Sequence, residues 1–444
     1  MVSISNRWSI ISNHQIKPKL IEWLFYAIAF TLPFLRAHWN SKFIILLILV
    51  SLFQVNIKEL WLKIRVYKIF WLFASLFLID VVGLIHTENL NYGFRYLETK
   101  VPILVFPFLI LINLEILNRK IISNICKSFL SGVLVILTGY TAIILKEVVK
   151  NGFTFTSFLN ERLSDIPAIA NQTIVDIHPS FLSLYLSFCT IYILNYFRTK
   201  PPKYKIWILS VVTLLIICFQ IWINSRAGLI GFILATTFFF FFKSNRKEKI
   251  MSFGIALLFI AGILFIPVTR ERFISAPISA LQYIGEVNPK DEVTWPISFR
   301  FQIFDCSINL LGDNNWILGY GTGDFRDKIN QCFSEKEYGW LIVREFDAHN
   351  EYFSQLHRHG IIGLILFLAC LVIPLKDAFH AKQTLYIVFL LLIIISSISE
   401  TILSSQKGVV FYALFNSLLF LRGIDVPLSL HPRNNEVLTN NKIR

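Results

Sequence analysis

About twelve apolar runs set the limits on what this chain can fold into. They centre near residues 20–35, 41–56, 67–86, 101–115, 125–145, 179–197, 205–222, 228–243, 250–268, 360–376, 385–402 and 408–422. Most are long enough, alone or extended by a few residues, to cross a hydrocarbon core of about 30 Å as a helix. In lipid every backbone N–H and C=O must find its partner inside the protein, which a helix achieves within a single run. The expected fold class is therefore all-α, a polytopic membrane protein with about 12 transmembrane helices. A soluble domain is excluded by composition, with 55% hydrophobic and 16% charged residues and a mean hydropathy of +0.61. The net charge of +14 does not point to nucleic acid. Its basic residues sit in short clusters between apolar runs, where anionic membrane lipids are the expected partner.

Those clusters give an orientation. Lys58, Lys63, Arg65 and Lys68, then Arg119, Lys120 and Lys127, then Arg198, Lys200, Lys203 and Lys205, then Lys243, Arg246, Lys247 and Lys249 occupy every second connection. That places them and both termini in the cytoplasm. The expected plan is a cytoplasmic tail over 1–19 without a cleavage site, helices 1–9 over 20–268, an outer loop over 269–359, helices 10–12 over 360–422 and a cytoplasmic tail over 423–444. The outer segment from Thr269 to Ala348 holds 8 Lys/Arg against 12 Asp/Glu, and a loop of that length is usually functional or structured. Within it Phe301, Phe304, Ile308 and Leu311 have helical spacing, which predicts an amphipathic helix lying on the outer leaflet. Trp316 to Phe325 is glycine-rich and resembles a dinucleotide fingerprint only superficially, since no βαβ unit accompanies it; it reads as a flexible turn. Cys306 and Cys332 both lie in this segment, where a disulfide could persist. Cys126, Cys189, Cys218 and Cys370 fall in apolar runs and read as small buried hydrophobes.

Three polar residues are placed where a membrane protein least readily puts them: Arg226, Arg300 and His349 flank or lie in the outer segment. A cation at the hydrocarbon edge is costly unless something anionic visits it, so together they suggest a site for a phosphate-bearing lipid. Arginine keeps its charge and grips phosphate oxygens bidentately, and histidine accepts a proton near neutral pH. Each also has a plainer reading: a snorkelling Arg226 at a helix end, an Arg300 that binds headgroups, a structural, hydrogen-bonded His349. Arg95, Glu98, Lys100, His178, Asn350, Tyr352 and Glu400 complete the candidate substrate-binding set, with Glu98 and Glu400 either steadying the arginines or forming simple buried pairs. No Asp-x-Asp pair and no Cys/His ligand spacing stands on this face, so neither a metal nor a cofactor is expected.

Taken in order, Asn224–Gly228, Ser298–Arg300 running into Trp316–Gly321, and His349–Phe353 with Gly360–Leu364 resemble the O-antigen ligase and O-antigen polymerase superfamily of bacterial envelope glycosyltransferases. Glu98–Lys100, His178–Ser180 and Glu400–Gly408 are similar to further positions seen in a subset. The resemblance implies a GT-C type fold in the bacterial inner (cytoplasmic) membrane. It implies metal-independent, inverting transfer of a glycan from undecaprenyl diphosphate at the periplasmic face, with Arg226 and Arg300 on the diphosphate and His349 activating the acceptor hydroxyl. The implied partners are the undecaprenyl-diphosphate-linked glycan donor and a lipid A-core or other glycan acceptor. A ligase is the first reading, favoured by the late position and length of the outer loop; a polymerase, or a relative that glycosylates protein, shares the donor and differs in the acceptor. Outside enzymes the alternative is a twelve-span transporter, for which Asp80 is the one carboxylate well inside a run, but the chain shows no repeating halves.

Overall fold

The computed structural model describes residues 16–53, 55–151, 177–199, 201–223, 225–243, 298–312 and 316–422, with isolated positions between 250 and 274. All regular structure among the described residues is helical: α1 (Ile16–Thr31), α2 (Ala37–Leu52), α3 (Ile57–Val66), α4 (Ile69–Gly83), α5 (Leu90–Ile112), α6 (Arg119–Asn151), α7 (Pro179–Phe197), α8 (Lys203–Ile223), α9 (Arg226–Lys243), α10 (Ser298–Asn309), α11 (Phe325–Glu335), α12 (Gly339–Val343), α13 (Glu351–His380), α14 (Thr384–Ser397) and α15 (Gln406–Arg422). Local chemistry fixes several starts. The Asn56, Asn89 and Asn350 side chains accept from the backbone N–H of Lys58, Tyr92 and Phe353, satisfying donors that a helix leaves open. At α7 the imidazole of His178 plays that part for Ser180, with Pro179 opening the helix.

Five described helices are long and apolar enough to cross a membrane: Ile69–His86, Arg119–Ile143, Pro179–Phe197, Lys203–Ile223 and Glu351–His380. A sixth is added if α2 and α3, bent by 112° to each other, form one broken span, and α9, α14 and α15 are apolar but shorter. The expected span over 250–268 and the start of the outer loop, 269–297, lie outside the described residues apart from isolated positions.

α15 packs along α5, α1 along α6, α9 along α14, and α13 between α4 and α14. Where α6, α7, α14 and α15 meet, Phe129, Tyr185, Phe188, Phe389, Phe411 and Phe415 form an aromatic centre, with ring centroids 4.7 Å apart for Phe188 and Phe415 and 5.1 Å for Phe129 and Tyr185. Among lipid-like tails such a centre holds by contact density, since apolar side chains there have no water to escape.

A second, smaller core lies within residues 298–348. Ile303, Cys306, Leu310, Tyr320, Phe325, Ile329, Cys332, Phe333 and Leu341 are buried together, and Cys306 and Cys332 are joined in a disulfide between α10 and α11. The predicted helix over Phe299–Leu311 is present. Ile303, Cys306, Ser307 and Leu310 turn into this core, while Phe301 and Ile308 of the expected stripe face outward. The glycine-rich turn, by contrast, is not loose. Residues 316–323 lie as a strap along α13, with Tyr320 N donating to His357 O (2.8 Å), Gly321 N to Arg358 O (3.0 Å) and Ile361 N to Trp316 O (2.8 Å). The strap fits because α13 breaks at Gly360, which has φ +62°; a Cβ there would sit 2.0 Å from the Ile317 oxygen, so both the backbone region and the space demand glycine.

Candidate functional site

The site forms where four separate stretches converge. His349 sits two residues before α13 with φ +43°, a left-handed conformation that a non-glycine residue holds only when its surroundings require it. Asp347 supplies the requirement: its Oδ1 accepts from His349 N (2.9 Å) and its Oδ2 from Thr401 Oγ1 (2.7 Å). Turned this way, the imidazole Nδ1 meets Glu400 Oε2 at 3.2 Å. The other carboxylate oxygen of Glu400 accepts from Arg300 Nη2 (3.1 Å) and from Ser180 Oγ (3.0 Å). Arg300 Nη1 donates to Ser399 O at 2.7 Å, so the guanidinium spans the turn and its anion. Phe299 and Phe346, stacked with centroids 5.1 Å apart, wall the imidazole on one side.

Glu400 is 7% exposed on its side chain, Arg300 29% and His349 16%, so the carboxylate is buried while the guanidinium and the imidazole reach the surface. Burial alone would raise the Glu400 carboxyl, but the bond and charge of His349, with His178 and Arg300, hold it down to about 2. Burial alone would lower the His349 imidazole; the bond and charge of Glu400, helped by Asp347, outweigh that and leave it above its ordinary value despite Arg300. His178, also buried, is lowered by desolvation. With Nδ1 turned to the carboxylate, Nε2 is the ring nitrogen left to take a proton, the logic by which a carboxylate orients a basic imidazole.

The structure brings Arg300, His349, Glu400 and His178 together, with Asn350 and Tyr352 alongside. Asn350 Nδ2 donates to Ile398 O (3.0 Å) and the Tyr352 hydroxyl to Ile394 O (2.9 Å), so these two serve the scaffold. Arg226 heads α9, half-buried, at the same end of the bundle. Its helix is pressed on the start of α7, where a Cβ on Gly228 would lie 1.8 Å from Ser183 Oγ, three residues beyond the serine that holds Glu400. The remaining three do not join. Arg95 and Glu98 are exposed on α5, and Glu98 pairs with neither arginine. Lys100 is 1% exposed with its Nζ 3.9 Å from Glu351 Oε1, so it meets a carboxylate rather than a substrate. Asp80 is buried against His359, Oδ1 to Nε2 2.7 Å, and is no longer a lone carboxylate in a run. Sequence reasoning missed Asp347, and it gave no role to Ser180 and Glu351 although both lie in the stretches His178–Ser180 and His349–Phe353. A clue existed for Asp347, as an acid two residues before His349 is the spacing of an Asx turn.

Residues 211–368 match the family model of O-antigen ligase. The matched region runs from α8 to the middle of α13 and contains Arg226, Arg300 and His349, so the resemblance read from short motifs holds over it. The match groups the region with membrane glycosyltransferase-like ligases and polymerases. Comparison with curated proteins returns no match. His178 and Glu400 lie outside the matched stretch, and only the fold draws them to it.

Proposed function

We propose that this protein is an O-antigen ligase, which moves a glycan from undecaprenyl diphosphate to a lipid A-core type acceptor at the periplasmic face of the bacterial inner membrane. The observation that carries the reading is the Arg300–Glu400–His349 chain, in which one buried carboxylate orients a basic imidazole and holds a guanidinium beside it. His349 Nε2 takes the proton of the acceptor hydroxyl as its oxygen bonds to the anomeric carbon. The carbon–oxygen bond to the diphosphate breaks with its electron pair passing to the leaving group, and a single displacement inverts the centre. Two of the five N–H donors of Arg300 are engaged by Ser399 and Glu400, leaving others for the departing diphosphate together with Arg226. No metal step is needed, because guanidinium charge serves the leaving group.

The test is transfer by the purified protein from an undecaprenyl-diphosphate glycan to a set of acceptors. His349→Ala and Arg226→Ala should each lower the rate by about 10²-fold or more while the protein inserts and accumulates normally; a fully active variant removes that residue from the mechanism. In a deletion strain, polymer kept on the carrier but absent from lipid A-core marks a ligase, and cores capped by single repeat units mark a polymerase.

A further inference from the structure

Three hydrogen bonds tie residues 347–351 to residues 398–403 on either side of the His349–Glu400 contact. Thr401 Oγ1 donates to Asp347 Oδ2 (2.7 Å), Asn350 Nδ2 to Ile398 O (3.0 Å), and Leu403 N to Glu351 Oε2 (2.9 Å). The third stands apart because Glu351 is wholly buried, where a carboxylate is costly unless it is both paired and hydrogen-bonded. Its Oε1 accepts from Gln355 Nε2 at 2.7 Å and faces Lys100 Nζ at 3.9 Å. Lys100 in turn lies 4.8 Å from the Tyr96 ring centroid, whose face Arg358 covers at 3.8 Å, and Asp80 completes the group through His359. Two carboxylates, Asp80 and Glu351, thus stand with two permanent cations, Lys100 and Arg358. Each of these groups has its partner inside the network.

We propose that Glu351, braced by Lys100, is a positioning residue that sets the register between the His349 segment and the Glu400 turn. The inference rests on the reading of His349 as the base. Glu351 follows His349 by two residues and Leu403 follows Glu400 by three, so their bond closes a small frame around the imidazole–carboxylate contact. The imidazole–carboxylate contact is already 3.2 Å long, and a shift of a few tenths of an ångström takes it out of hydrogen-bond range. Lys100 therefore serves the site from behind, through the carboxylate it neutralises.

The full-length protein in nanodiscs, with ¹³C-labelled histidine, gives the His349 titration by NMR, its signal assigned by loss in His349→Gln. Glu351→Asp keeps the charge opposite Lys100 but is one methylene too short for Leu403 N. It should move the His349 titration to lower pH and cut glycan transfer about tenfold or more. In the double variant K100M/E351Q the amide oxygen can still accept from Leu403 N, with Gln355 turned to match, and no buried charge is left alone. That protein should titrate and transfer as the wild type does. An E351D protein titrating like the wild type overturns the proposal, and so does a K100M/E351Q protein whose His349 titrates at lower pH; the second result decides alone if E351D is not recovered folded. Transfer surviving in His349→Gln would instead remove the base reading and the catalytic meaning of the register with it, while the titrations of the other variants still report whether Glu351 sets that register.

Discussion

Glu400→Gln isolates the contribution of the buried carboxylate with almost no change in shape. In the wild type Glu400 accepts from Arg300 and Ser180 on one oxygen and meets His349 on the other. On the proposed reading, the amide leaves the steric frame in place but removes the charge that the imidazolium needs once it has taken the acceptor's proton. A hydrogen bond to a charged partner is worth about 1.5–3 kcal/mol, so losing it in the transition state alone corresponds to a rate roughly 10- to 150-fold lower. The pH profile carries the sign. Glu400 holds the His349 pKa up, and the proposed base works only when neutral, so activity of the wild type should rise with pH through that raised value. In Glu400→Gln the acid limb should move to lower pH while the plateau falls. Stability changes too: a carboxyl lowered from 4.5 to about 2 contributes about 3 kcal/mol that is present above pH 4.5 and lost as pH falls through 2. The assay is initial transfer rate against pH with purified protein, alongside thermal melts at pH 7 and pH 3. A Glu400→Gln protein with the wild-type plateau and an unmoved acid limb would refute the reasoning.

Two further outcomes concern the scaffold. Opening the Cys306–Cys332 bridge with Cys306→Ser and Cys332→Ser releases a loop whose ends are 26 residues apart, at a cost of about 3 kcal/mol in the chain-entropy view; protease sensitivity confined to residues 298–348 would report it, and unchanged resistance would count against the bridge as a brace. Gly360→Ala forces a side chain onto the Ile317 oxygen at positive φ and should destabilise the protein by about 3 kcal/mol, seen as a lower melting temperature with the strap released to hydrogen exchange.

The all-helical class was legible because apolar runs are local, and so was the start of α9 at Arg226, whereas of about twelve expected spans five described helices, or six with α2 and α3 as one broken span, are long and apolar enough to cross a membrane. Less visible was which side of a helix turns inward. On α5, Gly93, Tyr96, Lys100, Ile103 and Pro107 share the buried face while Arg95 and Glu98 point away. The spacing of Lys100 from Tyr96 and Ile103 already carried that information, since residues four and three apart share a face. The site itself depends on pairings no window can contain: Glu400 and Ser180 are 220 residues apart and Asp80 and His359 are 279 apart. The Cys306–Cys332 bridge was open for the same reason, as its closure depends on how α10 and α11 pack. The glycine-rich stretch misled in the opposite direction. Its glycines admit the close approach of a neighbouring backbone, which composition alone does not distinguish from looseness.

The break at Gly360 divides α13 into two mechanical parts. The segment before it, with His357, Arg358 and His359, is bonded to the strap and to α4, whereas the segment after it presents Ile362, Ile365 and Val372 outward. The change of direction is clasped from both sides, Gly321 N donating to Arg358 O ahead of the glycine and Ile361 N to Trp316 O behind it, so the head of the helix takes its course from the strap while the apolar run follows the bundle.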